Sequence, residues 1–230
     1  DALVRLATGH RVDELLDGRH ARGAADHDHV VDVALGEAGV LDGLLERGLA
    51  ALQQIGVETA REWVGRYGFD VARQPANLSL ALGAGSTTPM QLAQAYAVLA
   101  NGGWHVEPVV VERITDARGK LLYEAPAAPA LDEAQRVVPA RNVFVTDSLL
   151  QEVTRSGTAA RAQQQLQRPD LYGKTGTTND AVDAWFAGFQ PGVVGVAWMG
   201  YDTPRSLGQR ESGGGLALPI WIAYMQVALK

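Results

Sequence analysis

The spacing of apolar residues in STTPMQLAQAYAVLANGG predicts an amphipathic helix. Thr88 stands at the N-cap, Pro89 at the first helical position and Gln91 at the capping-box distance. The pair Asn101-Gly102 predicts the end of the helix. Its apolar stripe recurs at i, i+3, i+4 and i+7 and consists of Leu92, Ala95, Tyr96 and Leu99.

Three other segments show helical patterning. In the first, Thr59 and Glu62 form a capping-box pattern ahead of apolar residues, and Gly68 ends the segment. The second covers about Ala140 to Arg155. The last, GGGLALPIWIAYMQVAL, is predicted to be a helix opened by Pro219. The apolar residues of these segments are Trp63, Val64, Tyr67, Val143, Phe144, Leu149, Leu150, Val153, Trp221, Ile222 and Met225.

Alternation and turn residues predict two groups of strands. EPVVVERITDARGKLLYE is typical of a β-hairpin that turns at residues 116–119. Three further strands are predicted at about 171–177, 184–189 and 193–201, with Gln190-Pro191-Gly192 as a tight turn. The aromatic residues of these strands are interpreted as packing and are Trp185, Phe186, Phe189 and Trp198. The pattern as a whole predicts an α+β fold in which helices flank an antiparallel sheet.

Residues 1–48 differ from the rest of the chain. They contain four of the five histidines but no Lys, Trp, Tyr or Phe, and their apolar residues follow no long period. We therefore predict an atypical segment of uncertain structure at 1–48, followed by a regularly patterned region at 49–230.

Composition excludes several classes of function. The 230 residues carry a net charge of −6, which argues against a nucleic-acid partner and against a polybasic membrane-binding patch. The absence of cysteine excludes thiol chemistry and disulfides. The chain starts with too many charges for a signal peptide and has no apolar run of about 18 residues. Any membrane anchor or export signal is therefore expected outside this sequence.

The run Lys174-Thr175-Gly176 suggests a site for an anion. On an edge strand, a lysine and neighbouring hydroxyls bind a carboxylate through charge-assisted hydrogen bonds. Glycine lets the backbone of a ligand lie close to the strand, and the N–H of Thr177 is placed to stabilise an oxyanion. The tripeptide alone is more typical of a Gly/Thr-rich turn with a solvated lysine, since a three-residue pattern often occurs by chance.

The surrounding sequence resembles the transpeptidase domain of class A penicillin-binding proteins, the bifunctional peptidoglycan synthases. The resemblance implies that residues 49–230 are the C-terminal part of such a domain. The resemblance runs from about Gly48 to Lys230 and includes LYGKTGTTNDAVDAWFAGF, SLALGAGSTTPMQLAQAYAVLANGG, VTDSLLQEVTRSGTAARA and the closing segment. It implies the fold shared by penicillin-binding transpeptidases and serine β-lactamases.

The resemblance also implies a mechanism. A serine attacks a D-Ala-D-Ala stem peptide, an amine resolves the acyl-enzyme into a cross-link, and β-lactams trap the serine. Lys174 would supply charge to the substrate carboxylate and take part in the proton network. Thr175, Gly176 and Thr178 would bind substrate, and Thr177 would contribute its N–H to the oxyanion hole.

Two motifs of that family are missing. None of the six serines is followed by lysine three residues later or by asparagine two residues later, so Ser-x-x-Lys and Ser-x-Asn are absent. Three explanations are open: a partial or frame-shifted sequence, a true fragment without acylation, or a substitute nucleophile. The first is favoured, and the third ranks lowest because no serine has a lysine one helical turn away to deprotonate it. The nucleophile is therefore unknown.

Other polar groups receive simpler interpretations. The run Asp26 to His29 is more typical of a solvated turn than of a metal site, and no metal is assigned. His105 is interpreted as a structural histidine. Asp180 and Asp183 are interpreted as loop caps rather than an acid–base pair.

The resemblance thus implies a peptidoglycan D,D-transpeptidase that needs no cofactor and works outside the cytoplasmic membrane. Its expected partners are stem peptides and inhibitory β-lactams, with membrane association only through segments absent here. Two alternatives remain: a hydrolase of the D,D-carboxypeptidase or β-lactamase type, and a non-catalytic module that binds peptidoglycan or a synthase partner.

Overall fold

The structure is a computed structural model that describes residues 38–127 and 132–230, with the backbone alone for 38–46. The α-helices described are α1 (Ala38–Ile55), α2 (Val57–Gly65), α3 (Pro89–Ala100), α4 (Ala140–Arg155), α5 (Ala160–Leu166) and α6 (Leu218–Ala228). The strands described are β1 (Arg113–Thr115), β2 (Leu121–Glu124), β3 (Tyr172–Thr177), β4 (Ala184–Gln190) and β5 (Val193–Met199). Short 3-10 turns cover Val71–Arg73, Leu78–Leu82, Glu133–Gln135 and Asn179–Ala181.

Strands β3, β4 and β5 form an antiparallel meander in that spatial order. The register pairs Lys174 with Ala187 and Ala187 with Val196. Strands β1 and β2 form a separate hairpin whose turn is closed by a hydrogen bond from the Gly119 N–H to the Asp116 carbonyl. The predicted hairpin, the order of the three later strands and the α+β class are confirmed.

A hydrophobic core lies on each face of the three-stranded sheet. On one face, Phe186 packs against α6, where Trp221 donates its indole N–H to the carbonyls of Gly195 and Gly188 at 3.1 and 3.4 Å. On the other face, Phe189 packs against α3 and α4 through Val98 and Val143. The sheet is therefore covered by helices on both sides.

A buried threonine ties α4 to the start of β3. The hydroxyl of Thr154, which has no exposed surface, donates to the Leu171 carbonyl at 2.6 Å. The side chain of Gln163 on α5 donates to the same hydroxyl at 3.2 Å. These bonds hold the strand that carries the Lys-Thr-Gly run against α4 and α5.

Helix α3 confirms its sequence prediction. Thr88 accepts from the Gln91 N–H at 3.2 Å, and the Gln91 side chain accepts from the Thr88 N–H at 3.1 Å. Ala95 and Leu99 are buried, whereas Leu92 and Tyr96 are partly buried.

The predicted capping box at Thr59 is wrong. Helix α2 begins at Val57, so Thr59 already lies within its first turn. The reason is Gly56, whose φ of 85° breaks the chain between α1 and α2 while its carbonyl accepts from the Ala60 N–H. The helix ends at Gly65, three residues before the glycine that predicted its end.

Helix α4 has the predicted bounds, but only part of its apolar surface is buried. Val143 is buried, whereas Phe144 and Leu149 are 72% and 67% exposed. At about 100° per residue, Phe144 and Leu149 lie about 100° and 120° away from Val143 around the axis. The buried face of α4 that meets the sheet is therefore narrower than the apolar face that the sequence pattern predicts.

The last helix starts earlier than predicted. Pro219 does lie in the first turn of α6, but a π-helical turn, Gly213–Ala217, precedes it. Ser212 causes this early start, because its hydroxyl accepts from the Gly215 N–H and its carbonyl accepts from the Leu216 N–H.

Helix α1 runs across the predicted boundary between residues 48 and 49, and residues 1–37 lie outside the described residues. Within the part of the chain that the structure describes, no helix is both long enough and apolar enough to cross a membrane.

Candidate active site

Strand β3 carries the Lys-Thr-Gly run at one edge of the three-stranded sheet. Lys174 and Gly176 project toward the face covered by α3 and α4, as Tyr172 does when it stacks on Phe189 at 4.8 Å. Thr175 and Thr177 project toward the opposite face. Because β3 has a neighbouring strand on one side only, the side chains on both of its faces can be reached from its open edge.

The register shows which backbone groups of β3 point to the open edge. A two-residue turn joins Gln190 to Val193, so the even-numbered residues of β4 form their backbone hydrogen bonds with β5. The odd-numbered residues of β4 form theirs with β3. Lys174 and Gly176 therefore bond to β4. The N–H of Thr177 and the carbonyl of Thr175 point away from the sheet.

Lys174 lies at this edge with its side chain in solvent. Its ammonium donates to the Thr175 carbonyl at 3.0 Å. Desolvation by the surrounding protein lowers the pKa of Lys174 below its ordinary value. The Lys174 side chain is thus exposed, but protein atoms around it displace part of the water that would stabilise its charge.

The two threonines are held from the opposite face. The hydroxyl oxygens of Thr175 and Thr158 lie 2.8 Å apart, and Thr158 belongs to the loop between α4 and α5. The hydroxyl of Thr177 accepts from the Gly213 N–H at 3.0 Å. The turn that precedes α6 is therefore joined directly to the strand.

Gly213 is required where this turn crosses the strand. A Cβ at this position would overlap the carbonyl oxygens of Trp185 and Gly176. On the other side of the sheet, a Cβ at Gly176 would lie 3.2 Å from the Trp185 Cβ. Both glycines permit close packing, and the second also keeps side-chain atoms away from the open edge.

Thr178 lies where β3 enters the loop to β4. Its hydroxyl accepts from the Asp183 N–H at 2.7 Å, and its own N–H donates to the Asp183 carbonyl at 3.1 Å. The carboxylate of Asp183 is buried and accepts from the indole N–H of Trp198 at 2.8 Å. The carbonyl of Asp180 accepts from the Ser206 hydroxyl at 2.7 Å. Both aspartates thus have structural contacts in this loop.

Among the described residues, the serine hydroxyls form hydrogen bonds with backbone groups and with the side chains of Asn77 and Glu152, and none is bonded to a lysine or histidine. The hydroxyl of Ser148, for example, donates to the Phe144 carbonyl of its own helix at 2.7 Å. Within the same residues, no group of three or more His, Asp or Glu side chains lies together to bind a metal. The run Asp26 to His29 lies outside the described residues.

Two other polar features lie away from β3. His105 is partly buried, and its Nδ1 lies 3.5 Å from a carboxylate oxygen of Glu107. A cavity of about 370 Å³ lies between α2 and α4, lined by residues that include Trp63, Tyr67 and Arg141, and it shares no residue with β3. The open edge of β3, rather than this cavity, carries the candidate chemistry.

Comparison with known proteins assigns this arrangement to a family. The model described as penicillin-binding protein transpeptidase domain matches residues 49–220, which is most of the chain. The chain belongs to this family. A second model, described as NAD-specific glutamate dehydrogenase, matches residues 1–69 and overlaps the first over 49–69. It covers less than half of the chain and shows no membership.

Individual relatives agree with the family assignment. Penicillin-binding protein 1A of Neisseria lactamica is 44% identical over 179 residues, which are 78% of this chain and 22% of that protein. The crystal structure of penicillin-binding protein 1A from Haemophilus influenzae gives a TM-score of 0.71 at 31% identity, covering 87% of this chain and 34% of that one. This chain therefore spans about a fifth of the length of the curated relative it matches.

A more distant structure is similar in fold alone. The penicillin G acyl-enzyme complex of penicillin-binding protein A from M. tuberculosis gives a TM-score of 0.55 at 23% identity, covering 81% of this chain and 45% of that one. The predicted family and fold class of this penicillin-binding transpeptidase chain are confirmed.

The sequence patterns gave no role to Thr158 and Gly213, which contact the threonines of β3. Both lie in segments that carried the family resemblance, so their location near the transpeptidase site was indicated, but their roles were not. A serine followed by three glycines was the available signal for the turn at Gly213. No local pattern pairs Thr158 with a residue 17 positions away.

Proposed function

We propose that this chain forms the substrate-carboxylate side of a peptidoglycan D,D-transpeptidase site. Lys174 supplies positive charge, the Thr175 hydroxyl binds the terminal carboxylate, Gly176 lets the backbone of the peptide lie close to the strand, and the Thr177 N–H faces the developing oxyanion. Thr178 takes part through the loop that ends β3. The observation that carries the proposal is that β3 is an edge strand, so these residues line an open edge to which the Thr177 N–H points.

The chemical step is proposed to proceed through a serine acyl-enzyme. The serine attacks the carbonyl of the penultimate D-alanine, terminal D-alanine leaves, and an amine of a second stem peptide then displaces the serine. The related penicillin-binding protein A forms an acyl-enzyme with penicillin G, which supports β-lactams as inhibitors here. Neither step requires a metal or organic cofactor.

The serine itself is proposed to come from residues outside this sequence. No serine in the chain has a lysine three residues later, and Lys174 forms its described hydrogen bond with the strand backbone. Because stem peptides belong to peptidoglycan, which lies outside the cytoplasmic membrane, we propose that the site acts there.

The binding half of the proposal is tested by titrating ¹⁵N-labelled chain with diacetyl-L-Lys-D-Ala-D-Ala. We expect the amide signals of Gly176 and Thr177 to shift, and the L-Ala-L-Ala diastereomer to leave them in place. Lys174→Met should weaken binding about tenfold, because a charge-assisted bond is lost. Lys120→Met, at the exposed hairpin turn, is the matched control. Equal binding by both variants would reject the role of Lys174.

The covalent half is tested by incubating the chain with benzylpenicillin and recording its intact mass. We expect an unmodified mass on a folded sample. A covalent adduct would contradict the absence of a nucleophile, and peptide mapping would identify the residue.

A second candidate is non-catalytic binding of peptidoglycan, favoured by the absence of both serine motifs. It shares the peptide binding but predicts no cross-linking under any condition. Mixing the chain with the serine-bearing part of a penicillin-binding protein 1A and assaying cross-linked products distinguishes the two. The same assay detects trimmed peptides, which a carboxypeptidase would release instead.

A further inference from the structure

Thr158 is a polar contact of β3 that the proposed mechanism does not yet use. It is exposed in the short loop between α4 and α5, within the sequence Ser-Gly-Thr-Ala. Its hydroxyl oxygen lies 2.8 Å from the hydroxyl oxygen of Thr175, and either group can be the donor. This contact connects the loop to the hydroxyl that we assign to the substrate carboxylate.

The loop is held in place by its own backbone. The N–H of Gly157 donates to the Glu152 carbonyl at 3.1 Å, and the N–H of Ala159 donates to the Val153 carbonyl at 3.0 Å. Ala159 has no exposed surface and belongs to the core on the α6 face of the sheet. Thr158 is therefore presented to β3 from a fixed position, although its side chain is exposed.

Gly214 lies close to Thr158 on another side. A Cβ at Gly214 would lie 3.3 Å from the Thr158 carbonyl oxygen and 3.8 Å from the Thr175 Cγ2. The loop, the turn before α6 and the edge strand thus meet at Thr175. Three separate segments fix the surroundings of one hydroxyl group.

The chemistry of a hydroxyl pair sets the direction of the hydrogen bond when an anion is present. A hydroxyl has one proton to donate, and a carboxylate only accepts. If Thr175 donates to the carboxylate, its oxygen is left to accept from Thr158. Thr158 then holds the Thr175 side chain in the rotamer that aims its proton at the open edge.

We propose that Thr158 is a positioning residue for substrate binding: its hydroxyl donates to Thr175 Oγ1 and orients the Thr175 proton toward the terminal carboxylate of the peptide. The inference rests on the proposed function. It adds a residue that does not itself touch substrate.

The experiment is a double-mutant cycle on the affinity for diacetyl-L-Lys-D-Ala-D-Ala. Thr158→Val removes the donor at nearly constant volume and should weaken binding about fivefold, the effect of one hydrogen bond. Thr158→Ser should retain affinity within about twofold. In a Thr175→Val background, Thr158→Val should have no further effect, because the group that it orients is gone.

Thr146→Val is the matched control, since that hydroxyl donates only to the Asn142 carbonyl within α4. Amide spectra of every variant report whether the fold is retained. Wild-type affinity in Thr158→Val would overturn the inference and leave the proposed function intact. An undiminished loss in the Thr175→Val background would overturn it too, because Thr158 would then act independently of Thr175. Failure of the wild-type chain to bind the peptide would reject the proposed function and this inference with it.

Discussion

At the scale of single residues, two ionisable side chains have environments that oppose their charged forms. Lys174 is exposed at the edge of β3 but partly desolvated, which lowers its pKa. Asp147 on α4 is half-buried, which raises its pKa to about 6, and one of its carboxylate oxygens is buried without a protein partner. Both shifts have the same cause, the cost of moving charge away from water.

The lowered pKa of Lys174 should be visible in its reactivity. A neutral amine reacts with acetic anhydride and an ammonium does not, so the rate of acetylation follows deprotonation. We expect the Lys174 rate to reach half of its maximum at a lower pH than that of free lysine. Competitive labelling with peptide mapping by mass spectrometry measures this. A midpoint at or above that of free lysine would contradict the desolvation argument.

Asp147 should make folding less favourable at neutral pH than in mild acid. Its folded pKa of about 6 lies above the ordinary value, so the ionised carboxyl costs stability at pH 7. That cost falls as pH drops through 6 and is gone below about 4. Asp147→Asn should therefore raise the free energy of unfolding at pH 7 by about 1 kcal/mol, after allowing for solvent screening of a half-exposed group.

Urea unfolding at pH 7 and at pH 4 tests this expectation. The gain from Asp147→Asn should be clear at pH 7 and absent at pH 4. Asp170 titrates in a separate range, because its hydrogen bonds with Arg168 lower its pKa to about 2, and its stabilisation is lost only below about pH 4. An equal gain at both pH values would show that the charge of Asp147 is not responsible.

At the scale of secondary structure elements, the site depends on how closely the turn before α6 approaches β3. The turn before α6 donates the Gly213 N–H to Thr177, and α6 itself inserts Trp221 against Gly188 and Gly195. Glycine occurs at each crossing because a side chain there would meet backbone or ring atoms. The turn before α6, together with α6, thus helps to position the edge strand β3.

Gly213→Ala should separate these elements. The added Cβ would overlap the Trp185 and Gly176 carbonyl oxygens, and backbone cannot move as easily as a flexible side chain. We expect a loss of at least about 2 kcal/mol in the free energy of unfolding, typical of overpacking. Gly215→Ala is the control, since its Cβ would meet only the Ser212 hydroxyl at 3.5 Å. Similar unfolding midpoints for both variants would refute the close contact.

At the scale of the whole molecule, the sheet divides the core in two. Phe186 lies on the α6 side and Phe189 on the side of α3 and α4, and both are almost fully buried. Phe144 on α4 is equally apolar but 72% exposed. Position relative to the sheet, rather than apolar character, decides which aromatic residues stabilise the fold.

Truncating these rings should show the difference. Phe186→Ala removes a buried ring and should lower the free energy of unfolding by about 3–5 kcal/mol. Phe144→Ala should change it by no more than about 0.5 kcal/mol. Chemical denaturation of the two variants provides the comparison. A loss above about 2 kcal/mol for Phe144→Ala would mean that this surface is covered in solution.

Prediction from sequence succeeded where neighbours along the chain decide the structure. The capping box of Thr88 and Gln91, the turn after Gln190 and the bounds of α4 all depend on contacts within a few residues. It failed at Thr59, because Gly56 started the helix earlier. The Lys-Thr-Gly strand was located, but its faces and backbone directions depend on pairing with β4.

The sequence by itself determined the family, the order of the strands and the absence of both serine motifs, because these are properties of residue types and short spacings. The tertiary structure decided that β3 is an edge strand and that the Thr177 N–H faces outward. It also brought Thr158 to Thr175 and the Gly213 N–H to Thr177. These contacts join residues 17 and 36 positions apart, and only packing of separate elements around one sheet creates them.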